Sequence, residues 1–131
     1  MRFPRSEHLL RRADFERVYK QGRRHFAAHM TFFYLKSPQD TGARVGFTVS
    51  RALGGAVERN RMKRRLREAV RLQRLTSGLG ADVVINPKKT LLTAEFKDLM
   101  DEVARAGEVI RRKLADGEKA GRAKMQKEGS S

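Results

Sequence analysis

The sequence contains no cysteine and no tryptophan, and only three prolines in 131 residues. Without Cys there is no disulfide framework, no thiol nucleophile, no zinc ribbon and no iron–sulfur site, and a reducing or indifferent compartment such as the cytoplasm is expected. No hydrophobic run approaches the roughly 20 apolar residues that cross a bilayer. Met1–His8 lacks the apolar centre of a signal peptide, and Glu7, Asp14 and Glu16 break the acid-poor pattern of a transit peptide. Acidic residues are also scarce: 15 Asp plus Glu stand against 30 Lys plus Arg, a formal net charge of +15. A length of 131 residues fits one domain, and 39% hydrophobic residues suffice for one core.

A charge of this size draws polyanions, nucleic acid or an anionic membrane surface. It is unevenly placed. Residues 1–74 hold 19 basic and 6 acidic side chains, net +13, whereas residues 75–131 hold 11 and 9, net +2. The excess is confined to one half of the chain, as a binding site would be, and is not spread as a general solubility device.

Periodicity outlines the elements. Phe15, Val18 and Tyr19 form a helical stripe over 13–21, with Gly22 as its stop. Met30–Lys36 is aromatic-rich and reads as a strand, with Phe33 and Leu35 on one face and Phe32 and Tyr34 on the other. The turn cluster 37–42 suggests a hairpin to a second strand over 44–50, in which Val45, Phe47 and Val49 face one way. After Gly54-Gly55 a long helix spans about 56–74, ended by Gly78 and Gly80. A buried β-branched strand covers 81–86, and Thr93 is a candidate N-cap for a last helix whose apolar seam runs from Phe96 to Leu114. Residues 1–114 are thus expected to form a single domain and 115–131 a disordered basic tail. Mixed order around a small sheet indicates an α+β sandwich.

The most informative stretch lies in the second helix. At 100° per residue, Met62, Leu66, Ala69, Val70 and Gln73 gather on one side. Arg61, Arg64, Arg65, Arg67 and Arg71 gather on the opposite side, with Arg59 and Lys63 flanking. From Arg59 to Arg71 there are seven basic residues and one acid, Glu68. Like charges at i,i+4 cost a few tenths of a kcal/mol per pair. A face kept this way favours a polyanion lying along it. Asn60, between two arginines, could bridge to a neighbouring loop or read a nucleotide edge; sequence leaves both open.

Hydrolysis by protein groups would need a paired acid and base, or clustered carboxylates for metal ions. Glu95, Asp98, Asp101 and Glu102 lie instead on the last helix and read as a solvated face. His25 and His29 have no nearby carboxylate in sequence, so no metal site is assigned. No residue of the chain is assigned a catalytic role. Ser50 has no evident base.

The run Gly54-Gly55-Ala56-Val57-Glu58-Arg59-Asn60-Arg61-Met62-Lys63-Arg64-Arg65-Leu66-Arg67-Glu68-Ala69 resembles the Arg-Asn-Arg signature of the bacterial ribonuclease P protein component. Arg44–Arg51 matches the strand leading into that signature, and Arg12–Gly22 resembles the family's first helix. The likeness covers roughly residues 5–114. It implies an α-β-β-β-α-β-α order with a left-handed crossover through the basic helix. It also implies the accessory subunit of a ribonucleoprotein that removes the 5′ leader of precursor tRNA, an endonucleolytic hydrolysis carried by the RNA subunit and its Mg²⁺. The implied partners are that catalytic RNA and precursor tRNA, with no membrane and no small-molecule substrate.

The RNA-binding residues implied are Arg59, Asn60, Arg61, Lys63, Arg64, Arg65, Arg67 and Arg71, and the leader cleft would comprise Phe15, Tyr19, Phe33, Thr48, Ser50 and Arg51. Two departures from the family pattern stand out. Tyr19 is a phenol where Phe is common, and Asn86-Pro87 stands where Ala-Arg is frequent, with Lys88 and Lys89 as possible substitutes for the missing base. The competing classes are a ribosomal or RNA-chaperone module, and a DNA-binding protein using the basic helix in a major groove. The latter lacks a helix-turn-helix partner, because a Gly-rich link and a strand precede that helix.

Overall fold

The computed structural model describes residues 12–37, 44–75 and 79–130, with the backbone alone over 117–130. The elements are α1 (Arg12–Gln21), β1 (Arg23–Phe26), β2 (Met30–Lys36), β3 (Arg44–Phe47), α2 (Ala56–Leu72), β4 (Ala81–Pro87) and α3 (Phe96–Ser130). Short 3₁₀ turns at Arg51–Leu53 and Lys89–Leu92 precede α2 and α3. The order is that of the α-β-β-β-α-β-α expectation.

The four strands lie in the order β1-β2-β4-β3. β2 is antiparallel to both β1 and β4, whereas β3 is parallel to β4. This corrects the hairpin expected between β2 and β3. The hairpin is instead β1–β2, closed by Ala27 donating its N–H to the Met30 carbonyl at 2.9 Å. The reason is β4: residues 81–85 are all buried, and a strand buried on both faces belongs at the centre of a sheet. It therefore inserts between β2 and β3, and a parallel partner requires the α2 crossover. Residues 38–43 of the turn cluster lie outside the described residues.

Register sorts the side chains. Phe32, Tyr34, Val45, Val83 and Ile85 share one face and pack with Met62, Leu66, Ala69 and Val70 of α2 and Leu99, Val103, Ala106 and Ile110 of α3. The same pairing puts Arg24, Phe33, Val84 and Gly46 in one row of the opposite face. There α1 packs on β2 and β4, with Val18 and Val84 both buried. Gly22 lets the chain turn from α1 into β1: a Cβ would meet the Val18 and Tyr34 carbonyl oxygens at 2.4 and 2.6 Å.

Other boundaries differ from the sequence reading. α2 stops at Leu72, before Gly78 and Gly80, because Arg74 takes a positive φ of 49°. Gly78 lies outside the described residues. Thr93 closes the 3₁₀ turn and does not cap α3, whose first amides, Asp98 and Leu99, donate to the Glu95 carbonyl. The α3 backbone is helical to Ser130, beyond Leu114, where the apolar seam ends.

Candidate nucleic-acid interface

α2 is held by its apolar side. Burying Met62, Leu66 and Val70 stabilises by about 1.5–3 kcal/mol each, which outweighs the few tenths lost per like-charged pair. The N-terminal end is built by glycine. Gly54 has φ 145°, and a Cβ there would come within 2.0 Å of Glu58 Oε2. The absent side chain lets the Glu58 carboxylate accept the Gly55 N–H at 3.0 Å, satisfying a free amide of the first turn.

The candidate RNA-binding residues of α2 divide into two kinds. Asn60, Arg61, Arg64 and Arg67 are exposed and make no hydrogen bond or ion pair among the described residues; half-buried Lys63 makes none either. Arg65 does not belong with them. It is half-buried and donates to the Leu92 carbonyl at 2.9 Å and to that of Ala94, fastening α2 to the segment before α3. Arg71 is paired with Glu68, its Nε donating at 3.2 Å, which raises the Arg71 pKa and lowers that of Glu68. Arg59 Nε is buried without a partner. Helical angle alone could not separate Arg65 from Arg64, because its carbonyl partners come from a turn whose course the sequence does not reveal.

Arg59 and Arg61 also stand in the first two turns of α2, where the helix dipole disfavours cations. The unpaired arginines sit against their like-charged neighbours, and a phosphate would relieve that repulsion.

The second surface lies on the sheet face beside α1. Tyr19 meets Phe33 edge to face, with centroids 4.9 Å apart, and the Arg24 guanidinium lies 5.3 Å from the Phe33 centroid. Tyr19 Oη is 2.8 Å from Thr48 Oγ1 and 3.0 Å from Asn86 Oδ1. The fold thereby brings four segments, α1, β2, β4 and the end of β3, into one half-buried cluster. Phe15 lies one turn before Tyr19 on α1 and is half-buried; Ser50 and Arg51 are exposed on the way to α2. The Tyr19 hydroxyl, expected as an addition to a stacking ring, is used internally.

Sequence reasoning missed three members of this surface. Asn86 was noted only as half of the Asn86-Pro87 departure from Ala-Arg. Arg24 and the 67%-exposed Phe26 were not considered, although alternation along β1 would have put both on the Phe33 face. The anchor of α1 was missed as well. Asp82 is fully buried and receives Arg17, Ser37 Oγ at 3.2 Å, and Arg44 in a fork at 3.0 and 2.8 Å. Arg44 also reaches Asp14 at 3.3 Å. Hydrogen bonding to Asp82, foremost, pushes the Arg44 pKa up.

His25 and His29 do not converge. His29 Nδ1 lies 2.9 Å from Thr90 Oγ1, and its backbone N–H donates to Glu102 Oε1 at 2.8 Å. Glu102 therefore belongs to a packing contact with the β1–β2 turn, a correction to its place in a solvated face; Glu95, Asp98 and Asp101 are exposed as expected. Among the described residues no three His, Asp or Glu side chains group to hold a metal ion. No helix among them is long and apolar enough to cross a membrane.

The family model described as Ribonuclease P matches residues 3–111. The chain belongs to the ribonuclease P protein family. It is 40% identical over 113 residues to the ribonuclease P protein component of Citrifermentans bemidjiense, covering 86% of this chain and 96% of that one. With the corresponding protein of Desulforapulum autotrophicum it shares 38% over 103 residues, covering 79% and 87%. Among solved structures, the RNase P protein of Thermotoga maritima superposes with a TM-score of 0.65 at 27% identity, covering 81% of this chain and 96% of that one. That of Staphylococcus aureus gives 0.66 at 22% identity, covering 78% and 93%, a likeness of fold. Membership in the ribonuclease P family agrees with the α+β architecture.

Proposed function

We propose that this chain is the protein subunit of a ribonucleoprotein that removes the 5′ leader of precursor tRNA. In this reading the exposed arginines of α2 hold RNA, principally the catalytic RNA, and the cleft beside α1 binds the single-stranded leader. Mg²⁺ is carried by the RNA subunit, where it supplies the hydrolytic chemistry, and the protein binds and orients without taking part in bond cleavage. The working compartment is the cytoplasm.

The observation that carries the reading is the pairing of the two surfaces. Three unpaired arginines on one helix face suit a phosphate backbone, which Arg binds through its planar fork. A ring cluster with a guanidinium over Phe33 suits a single strand of no fixed sequence, which is bound by charge and stacking.

The test is leader release. Purified protein is added to the catalytic RNA of the same organism and precursor tRNA at low Mg²⁺, and the 5′ leader is quantified. Stimulation of release is expected; no stimulation, with equal binding to unrelated RNAs, would favour a general RNA-binding module. Phe33→Ala should weaken binding of precursor relative to mature tRNA by roughly 5- to 100-fold, the value of about one stacked base. Equal loss for both RNAs would remove Phe33 from the cleft.

A further inference from the structure

Tyr19 and Asn86, 67 residues apart in sequence, are hydrogen-bonded to each other. A phenol has one proton. Asn86 Oδ1 can only accept, so it takes that proton, and the Thr48 hydroxyl, which can also donate, supplies the second bond to the phenol oxygen. The Asn86 carbonyl oxygen is thereby turned toward α1. Its NH₂ group makes no hydrogen bond among the described residues, and the side chain is half-buried at the cleft. What the amide presents to a ligand is a pair of donors.

Asn86 does not stand alone. It is in register with Thr31 on β2, and Thr31 with Phe26 on β1, so Phe26, Thr31 and Asn86 form one row across the sheet face. Thr48 follows Phe47 and continues the parallel ladder by donating its N–H to the Ile85 carbonyl at 3.0 Å, which puts it beside Asn86. Adjacent strands are about 4.8 Å apart, so Phe26 and Asn86, two strands away, are separated by roughly the width of one nucleobase. The row has an exposed aromatic ring at one end, a small residue in the middle and a donor amide at the other.

We infer that Asn86, oriented by Tyr19, is a specificity-determining residue that reads one leader nucleotide and prefers guanine to adenine there. Guanine presents two adjacent acceptors, O6 and N7. Adenine presents N7 beside an N6 amino group that needs an acceptor, and the amide oxygen that usually serves it is engaged by Tyr19. Phe26 offers the stacking surface at the open end of the row. This inference rests on the leader-binding reading of the cleft and specifies what the cleft selects.

The experiment uses holoenzyme reconstituted with the organism's own catalytic RNA. Precursor tRNAs carrying guanine or adenine at each leader position in turn are bound in competition, and the guanine-to-adenine affinity ratio is read at each position. The wild type should show a ratio of roughly five- to tenfold at one position, the low end for a single amide and base edge. Asn86→Ala should bring that ratio near one. Tyr19→Phe frees the amide oxygen and should shrink the ratio while keeping the ring, and thermal melting of each variant confirms the fold. A ratio that survives Asn86→Ala, or a wild type that prefers precursor to mature tRNA with no guanine preference at any position, overturns the inference and leaves leader binding standing. Equal wild-type affinity for precursor and mature tRNA overturns leader binding itself.

Discussion

Two groups of arginines carry the same charge in this molecule and are placed for opposite purposes. Arg17 and Arg44 converge on the buried Asp82, and Arg44 also engages Asp14, so their charge is consumed inside the protein. Arg61, Arg64 and Arg67 project from α2 with no ion pair among the described residues. The first group ties α1 to the sheet and so positions Tyr19 against Phe33. The second leaves its charge for a partner. Net charge alone, +15 for the chain, says nothing of this division. The location of the carboxylates decides it.

The comparison breaks most visibly at Asp82. Removing it leaves two guanidinium groups partly buried beside an apolar strand, and breaking one partner of a buried pair costs more than the pair contributes. Asp82→Ala should lower unfolding stability by about 3 kcal/mol, near the bottom of the range for such losses. Arg17 and Arg44 retain 26% and 20% exposure and Asp14 stays in place, which limits the damage. Urea unfolding measures it. A loss below about 0.5 kcal/mol, the scale of ordinary surface changes, would show that the cluster is not an anchor.

The opposite signature is expected on α2. Replacing Arg61, Arg64 and Arg67 together by Ala should leave unfolding stability unchanged or slightly higher, because like charges are removed from one face. RNA affinity should fall on the order of 100-fold at moderate salt, and the slope of log affinity against log salt should flatten by about 2–3. Binding titrations across a salt series read both. An unchanged slope would mean that the face is only a solubility device.

What the sequence could disclose follows the same division. The apolar sides of α2 and α3 were legible because helical periodicity is local: Met62, Leu66, Ala69 and Val70 are buried as expected. Phe32 and Tyr34 against Phe33 and Leu35 followed from alternation along β2. The pairing of β2 with β4 was not legible, since no local pattern states which strand a turn delivers to which neighbour. Asp82 was opaque for the same reason. Its partners are 65 and 38 residues away, and in sequence it is one acid inside a β-branched run. Tyr19 and Asn86, 67 residues apart, were each noticed as departures, and only the sheet shows them to be one feature.

Arg65 sharpens the comparison from within the basic helix, because it shares a sequence context with the free arginines and a role with the anchored ones. Arg65→Ala removes two charge-assisted bonds to the Leu92 and Ala94 carbonyls, which water can partly replace. A stability loss of about 1–2 kcal/mol is expected, with a smaller effect on the salt slope than Arg64→Ala. If Arg65→Ala instead mimics Arg64→Ala in RNA binding and leaves stability untouched, burial would not be what divides the two groups.

The smallest effect should come from a group kept uncharged. His25 lies on β1 with its ring 5.7 Å from that of Phe32, and its pKa is lowered from the ordinary 6.5, first by burial and then by the positive charges of Arg105 and Lys113. A histidine whose folded pKa lies below its unfolded one binds protons more weakly when folded. Its contribution is therefore intact above the unfolded value and is lost as pH falls from 6.5 toward the lower folded value. Melting temperature should drop between about pH 7.5 and about pH 5.5, and His25→Gln, which has no proton to gain, should remove part of that drop. Added salt should screen the share owed to Arg105 and Lys113 while leaving the share owed to burial. A His25→Gln variant whose melting temperature falls as steeply as the wild type's would place the sensitivity elsewhere and leave His25 outside the set of residues that the excess positive charge constrains.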